Sequence, residues 1–259
     1  MRSCIGRRGN IYLGERGKLG IMKLSIIIPV FNEEKTISEV IKRVSSLKIA
    51  NISKEVIVVD DGSTDSTPSV ISNFKFPISN LKMLRHKKNL GKGSAVKTGI
   101  KNATGDYIVI QDADLEYDPK YIPTLLKPIG RRETEVVYGT RLKRMPNFSK
   151  DERNLRFLIH YIGNKFLSLV TSILYGQWIT DMETCYKIFP KKAVESIVLR
   201  SKRFDFEPEI TAKLLKYGYK ILEIPITTIP RGYAQGKKLN AIRDGLIALW
   251  TLIKYRFVS

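Results

Sequence analysis

Short apolar runs alternate with stretches of helical spacing through the first half of the chain. Residues 24–30 (LSIIIPV) form an apolar, β-branched run that predicts a buried strand. Residues 33–47 follow with Ile37, Val40, Ile41, Val44 and Leu47 on one face, the spacing of an amphipathic helix. The same alternation predicts strands over 55–59, 81–84, 106–111 and 135–139, and helices over 93–103 and 117–129. Turn formers and capping residues at 60–68 lead into a short helix, with Ser66 or Thr67 as its expected N-cap. Strands alternating with helices imply βαβ units with right-handed crossovers. The expected class is α/β, with a Rossmann-like, mainly parallel sheet flanked by helices.

The second half is less regular. Residues 142–150 read as a polar connector, and 152–175 as one long, mostly apolar helix or a helix pair. A strand is expected over 185–189, helices over 191–199 and 207–217, and a strand over 221–226. Residues 231–238 (RGYAQGKK) form a Gly-rich basic loop before a last helix over 239–255. In and just beyond that helix Ile242, Leu246, Leu249, Trp250, Ile253 and Phe257 suit core packing. Core packing is the first expectation; with Arg243, Lys254 and Arg256 beside them, a face resting on a membrane is the alternative. Residues 1–20 are rich in Gly and Arg and lack the apolar core of a signal peptide. A basic tail is therefore expected over 1–22, ahead of a single domain over 23–259.

Charge changes the picture. Lys and Arg number 45 against 25 Asp and Glu, a net charge of +20. Such an excess attracts polyanions: nucleic acid, an anionic membrane surface or phosphorylated substrates. The basic residues show no aromatic-interleaved recognition motif, so no nucleic-acid partner is expected. No apolar run reaches the ~18–20 residues of a membrane span, which leaves peripheral attachment as the expected form of membrane contact. Cys4 and Cys185 cannot build a disulfide framework, and with His86 and His160 they cannot build a zinc site.

Against that basic background, acidic groups gather at three strand ends: Asn32-Glu33, Asp60-Asp61 and Asp112-Ala113-Asp114. Ligands of parallel sheets bind at the carboxyl ends of the strands. Asp112 and Asp114, two residues apart, project in roughly the same direction, and the small Ala113 leaves room for a ligand to approach the backbone. Hard oxygen ligands with open positions suit Mg²⁺ or Mn²⁺ shared with a diphosphate. Asp60 and Asp61 suit hydrogen bonds from a base N–H or ribose hydroxyls, or a helix cap. Residues 89–94 (NLGKGS) fit neither the Walker pattern nor GxGxxG; a phosphate contact at Lys92 and a plain tight turn both stay open. Arg141, Arg153, Arg156, Arg231, Lys237 and Lys238 could together bind two phosphates, one per substrate.

Residues 25–33 (SIIIPVFNE), 58–65 (VVDDGSTD), 89–93 (NLGKG), 112–114 (DAD) and 138–141 (YGTR) resemble, in order and spacing, the motifs of family 2 glycosyltransferases of the GT-A fold. The resemblance covers roughly residues 23–255. Within the family it is similar to dolichol-phosphate mannosyltransferase and its polyprenyl-phosphate relatives. Residues 180–187 (TDMETCYK), 203–209 (RFDFEPE) and 231–238 occupy the places of that group's later motifs.

The resemblance implies a nucleotide-sugar half over 23–141 and an acceptor half over 142–259. It implies that Pro29, Phe31, Glu33, Asp60 and Asp61 hold the nucleotide. Asp112 and Asp114 would face metal and diphosphate, with Glu116 in the place of a metal-contacting Gln. Arg141 and Arg156 would take the acceptor phosphate, and Arg231 and Lys237 would close over the donor. The expected activity is inverting transfer of a sugar, mannose from GDP-mannose first and a UDP-sugar second, to a polyprenyl phosphate. The expected location is the cytoplasmic face of a membrane. The alternative is transfer of glucose or N-acetylglucosamine to a saccharide or other hydroxyl, with Asp181 as the candidate base. Glu at 116, Phe at 31 and the 156–163 sequence depart from the group's pattern.

Overall fold

The structure is a computed structural model that describes residues 22–74, 80–142, 155–229 and 241–258. The tail expected over 1–22, apart from Met22, and the whole 231–238 loop lie outside the described residues. Seven strands make one sheet: β1 (Met22–Val30), β2 (Ile52–Asp60), β3 (Leu81–Arg85), β4 (Tyr107–Ile110), β5 (Val136–Thr140), β6 (Lys187–Pro190) and β7 (Ile221–Pro225). Their order is β3-β2-β1-β4-β6-β5-β7. Every pairing is parallel except those of β6, which runs antiparallel between β4 and β5. The expected mainly parallel α/β sheet is thus present.

Alternate strand residues enter different cores, as the two-residue period requires. Ile27, Ile57, Val59, Ile108 and Ile110 pack on the side of α3 (Lys92–Asn102), α7 (Phe206–Lys216) and α8 (Ala241–Phe257). Ile26, Ile28, Val56, Val58 and Val109 pack on the side of α1 (Ile37–Ser46) and α4 (Ile122–Gly130).

Two local expectations change. The first helix begins at Ile37 rather than at 33, because Asn32 takes a left-handed backbone (φ 51°) and Glu33 O starts a turn to Thr36 N and Ile37 N. The helix α2 (Thr67–Ser72) receives no side-chain cap from Ser66; Asp65 Oδ1 accepts from Thr67 N at 2.9 Å instead. The Thr67 hydroxyl is committed elsewhere, accepting Glu33 N at 2.8 Å and joining the ends of β1 and β2.

The long segment is one helix, α5 (Leu155–Tyr175). Its buried side carries Leu167 with Ser168, Thr171 and Ser172, while Ile159, Ile162, Phe166, Leu169 and Ile173 face outward. Ser168 and Ser172 hydroxyls accept Met182 N and Ile179 N, so the polar face anchors the 179–182 turn. In α8, Ala248, Leu252 and Tyr255 are buried, whereas Ile242, Leu246, Trp250 and Phe257 are 64–79% exposed. The core-packing reading of those four residues is therefore corrected: the helix is apolar on both faces. Two short helices, α6 (Lys191–Glu195) and the 3₁₀ turn Pro119–Tyr121, complete the set among the described residues.

Candidate active site

The strand ends expected to carry chemistry meet at one sheet edge. Val30 pairs with Asp60 in register, and Asp61 N donates to Val30 O at 2.8 Å. Pro29 lies buried at the end of β1, and Phe31 and Glu33 are half-buried beyond it. Asn32 binds across to the β2 loop, its N donating to Ser63 Oγ and its Oδ1 accepting Thr64 N. Gly62 (φ 73°) passes so close to Lys88 that a Cβ would meet its carbonyl carbon at 2.5 Å.

The adjacent aspartates differ. Asp60 Oδ1 accepts Ser63 N at 2.9 Å, while its buried Oδ2 lies 3.0 Å from Arg85 Nε without any aligned hydrogen bond. Asp61 is fully engaged: Oδ1 accepts Leu90 N (3.0 Å) and meets His86 Nδ1 (2.7 Å), and Oδ2 accepts Gly91 N (2.7 Å). Asp61 thus shapes the 89–91 loop, whereas Asp60 Oδ2 is ion-paired with Arg85 without a hydrogen bond.

Past β4, the loop carrying the paired carboxylates is pinned from below. The buried Gln111 donates to Asp112 O and Tyr117 O and accepts from the Tyr186 hydroxyl at 2.6 Å. Ala113 is buried, Asp114 Oδ1 accepts Glu116 N at 3.0 Å, and Leu115 between them is left-handed (φ 63°). Glu116 O accepts Ile229 N, tying this loop to the chain leaving β7.

Lys92, the first residue of α3, ends in a knot of charge. Its Nζ lies 2.8 Å from Asp112 Oδ1, 3.0 Å from Glu207 Oε1 and 3.1 Å from Cys185 Sγ. Burial pushes the Asp112 carboxyl up, but the Lys92 ammonium and the Cys185 thiol outweigh it and hold the group below its usual range. Burial works against the Lys92 charge as well, and Asp112, Cys185 and Glu207 more than restore it. Just behind, Glu183 Oε1, Thr184 Oγ1 and Glu207 Oε2 are buried without a hydrogen-bond partner among the described residues. Burial, reinforced by the Glu207 charge, lifts Glu183 to about 7, although Lys187 pulls the other way.

Arg141, at the end of β5, is held by Asp181 through three bonds. Arg141 N and Nε donate to Oδ2 at 2.8 Å, and the second guanidinium nitrogen donates to Oδ1 at 2.7 Å. Asn164 donates to the same Oδ1, and Glu223 Oε1 accepts Asp181 N. Burial raises the Asp181 carboxyl, but Arg141 and these donors bring it below the ordinary range. The Arg141 guanidinium also rests 5.7 Å from the Tyr117 ring centroid.

As to a cation, Asp112 and Asp114 offer ionisable hard oxygens. No three His, Cys, Asp or Glu converge among the described residues, so Glu116 does not join the two aspartates in a preformed cage. The pair therefore fits a cation that completes its shell with diphosphate and water.

The glycosyl transferase family 2 profile matches residues 25–198. The chain belongs to glycosyl transferase family 2. This glycosyltransferase is 31% identical over 236 residues to an uncharacterised protein of Methanocaldococcus jannaschii, covering 89% of this chain and 91% of that one. It is 32% identical to a UDP-N-acetylglucosamine–dolichyl-phosphate N-acetylglucosaminyltransferase of Methanococcus voltae, covering 84% of this chain and 90% of the relative. A dodecaprenyl-phosphate galacturonate synthase of Rhizobium johnstonii matches at 28% identity over 83% of this chain and 62% of its own length. Among solved structures, glucosyl-3-phosphoglycerate synthase of Mycobacterium tuberculosis, crystallised with Mn²⁺, UDP and phosphoglyceric acid, superposes with a TM-score of 0.69. It shares 18% identity, with 92% of this chain and 80% of that one covered. The glycosyltransferase has the GT-A fold.

Of the residues anticipated for the site, the sheet edge brings together Asp60, Asp61, Lys92, Asp112, Ala113, Asp114, Arg141 and Asp181. Arg153, Arg231, Lys237, Lys238 and the side chain of Arg156 lie outside the described residues. Sequence reasoning missed Glu183, Cys185, Glu207, Asn164 and Glu223 as site residues. The segments 180–187 and 203–209 stood out as motifs, but nothing in a linear string says that Glu207 faces Lys92, 115 positions earlier in the numbering.

Proposed function

We propose that this glycosyltransferase moves a sugar, with inversion, from a nucleoside diphosphate sugar to a polyprenyl phosphate at a membrane surface. The observation that carries the reading is the pairing at one sheet edge of two carboxylates, Asp112 and Asp114, with the tightly oriented guanidinium of Arg141. Asp60, with Pro29, Phe31 and Glu33, receives a base N–H or ribose hydroxyl at Oδ2, which is ion-paired with Arg85 but accepts no hydrogen bond. Asp61 contributes through the loop it holds. A Mg²⁺ or Mn²⁺ ion bound by Asp112 and Asp114 together with the diphosphate would supply charge stabilisation for the leaving group.

Arg141 orients the acceptor phosphate, joined by Arg156, while Arg231 and Lys237 cover the donor. A phosphate is already ionised near neutral pH, so its oxygen needs positioning at the anomeric carbon more than a base. Asp181 supports this choice over a hydroxyl acceptor. Both its oxygens are tied up and its proton affinity is lowered, so it orients Arg141 and is a poor base. The named relatives use N-acetylglucosamine or galacturonate, which ranks a UDP-sugar ahead of GDP-mannose as the donor.

Membrane contact is supported by the outward apolar stripes of α5 and α8, two helices that pack against one another. A groove of about 460 Å³ lies beside the α8 stripe, lined by four basic side chains (Arg200, Lys202, Arg203, Arg243) and two acidic ones (Asp205, Asp244) with Phe204 and Ile247. It contains none of the Asp112–Asp114 site residues and suits anionic headgroups. Among the described residues no helix is long and apolar enough to cross a membrane; the cytoplasmic face remains part of the proposal.

The test is a transfer assay with UDP-N-acetylglucosamine, UDP-glucose and GDP-mannose against a polyprenyl phosphate, in Mg²⁺ or Mn²⁺. Product with the lipid phosphate alone supports the reading; product only with a saccharide acceptor overturns it. Trp250→Glu should release the protein from anionic vesicles while leaving turnover of a detergent-soluble short-chain acceptor intact.

A further inference from the structure

We propose that Glu207 is a positioning residue for the carboxylate pair: it holds Lys92 as an internal counter-ion beside Asp112 and takes over that ammonium when a divalent cation engages Asp112. The inference rests on the metal reading of Asp112 and Asp114 given above, and adds to it a residue outside the expected site.

Two observations carry it. Lys92 Nζ lies between two carboxylates, 2.8 Å from Asp112 Oδ1 and 3.0 Å from Glu207 Oε1, so it neutralises Asp112 and is already held on its other side. Glu207 is 4% exposed, and its Oε2 is buried with no hydrogen-bond partner among the described residues. A buried carboxylate oxygen without a donor is costly, and a full shift of the ammonium onto Glu207 would relieve it. The acceptor that the displaced lysine needs is therefore built in.

The backbone around Lys92 is fixed, so the exchange is confined to a flexible side chain. Asp61 accepts Leu90 N and Gly91 N, and Ser94 N donates to Lys202 O at 3.1 Å. Gly91 (φ 97°) lies against the same carbonyl, which a Cβ would approach to 2.3 Å. The 201–203 segment leads directly into α7, whose first turn carries Glu207. The two ends of the Lys92 bridge are thus mounted on packed elements, while its four-carbon stem spans the gap. A divalent cation at Asp112 repels an ammonium 2.8 Å from the same oxygen, and Glu207 offers that ammonium a place a short distance away.

The experiment is titration of the full-length protein with Mn²⁺ in the presence of saturating UDP, following free Mn²⁺ by electron paramagnetic resonance. Variants are Glu207→Gln, Lys92→Met, the double variant and Asp114→Asn, with circular dichroism and Tm recorded for each. Glu207→Gln should weaken Mn²⁺ binding about tenfold, because Lys92 then has Asp112 as its only carboxylate. That loss should vanish in the Lys92→Met background. An equal loss with and without Lys92, or an unchanged affinity in Glu207→Gln, overturns the inference while Asp114-dependent Mn²⁺ binding by the wild type keeps the metal reading. Absence of Asp114-dependent binding in the wild type removes both. Should Glu207→Gln fail to fold, Glu207→Asp against the same Lys92→Met background decides: a several-fold loss confined to the Lys92 protein supports the exchange, and no such loss overturns it.

Discussion

Two acidic clusters are buried at opposite ends of the same sheet, and they are built on different terms. At the amino-terminal end Glu55 accepts the Ser25 hydroxyl and Thr104 N at 2.6 Å and the Thr104 hydroxyl at 2.9 Å, with Lys23 and Lys82 within 3.5 Å. Burial alone would raise its pKa, but those donors lower it to about 2. At the carboxyl end Glu183, Thr184, Glu207 and Asp60 each keep a buried atom without a hydrogen bond among the described residues, and Glu183 rises to about 7. A cluster with every acceptor matched stabilises the fold; one with buried polar atoms left unpaired costs stability, a pattern found at functional sites.

At the carboxyl end, losing one of the paired aspartates should hit chemistry hardest. Asp114→Ala is expected to lower metal-dependent turnover about 10³-fold with little change in Tm; retained turnover would detach the site from Asp114. Next comes the amino-terminal cluster, where Glu55→Ala strands the Ser25 and Thr104 donors. It should cost roughly 3 kcal/mol of stability at neutral pH in urea unfolding, with KM unchanged. The Glu55 contribution is present above its ordinary pKa and fades as pH falls towards about 2, so the variant and wild type should converge in acid.

Arg141→Ala is predicted to raise KM for the acceptor phosphate about tenfold or more and KM for the nucleotide sugar much less. Equal rises would argue that Arg141 serves the donor. The smallest effect sharpens the contrast between the two carboxylates. Glu183 has a raised pKa, so its protonated form favours the folded state, and that contribution is lost as pH climbs from about 4.5 through about 7. Glu183→Gln should flatten the fall of Tm across this window by several °C; an unaltered slope would place the titration elsewhere.

Much of this was legible in the linear string. The apolar β-branched runs at 24–30, 55–59 and 106–111 gave strands because a doubly covered parallel strand has no polar face to advertise. The acidic pairs at their ends marked the ligand edge, since parallel strands all finish on the same side. Helix starts were less legible: Glu33 reads as a good first-turn residue, yet Asn32 is drawn into a left-handed turn by Ser63 and Thr64 in the loop after the next strand. The last helix misled for a related reason. Its apolar periodicity is real, but Leu246 and Trp250 face outward while Ala248 and Leu252 meet the core, and hydropathy does not say which apolar face is buried.

Sequence by itself determined the alternation of strands and helices, the family and the carboxylates at Asp112 and Asp114, because these depend on local periodicity and on residues adjacent in the chain. Only the tertiary structure decided that Asp61 serves a loop, that Asp181 serves Arg141, and that Lys92 bridges Asp112 to Glu207. Those roles are contacts between segments far apart in sequence, and the free energy that selects them comes from packing and from the burial of charge, neither of which exists until the chain is folded.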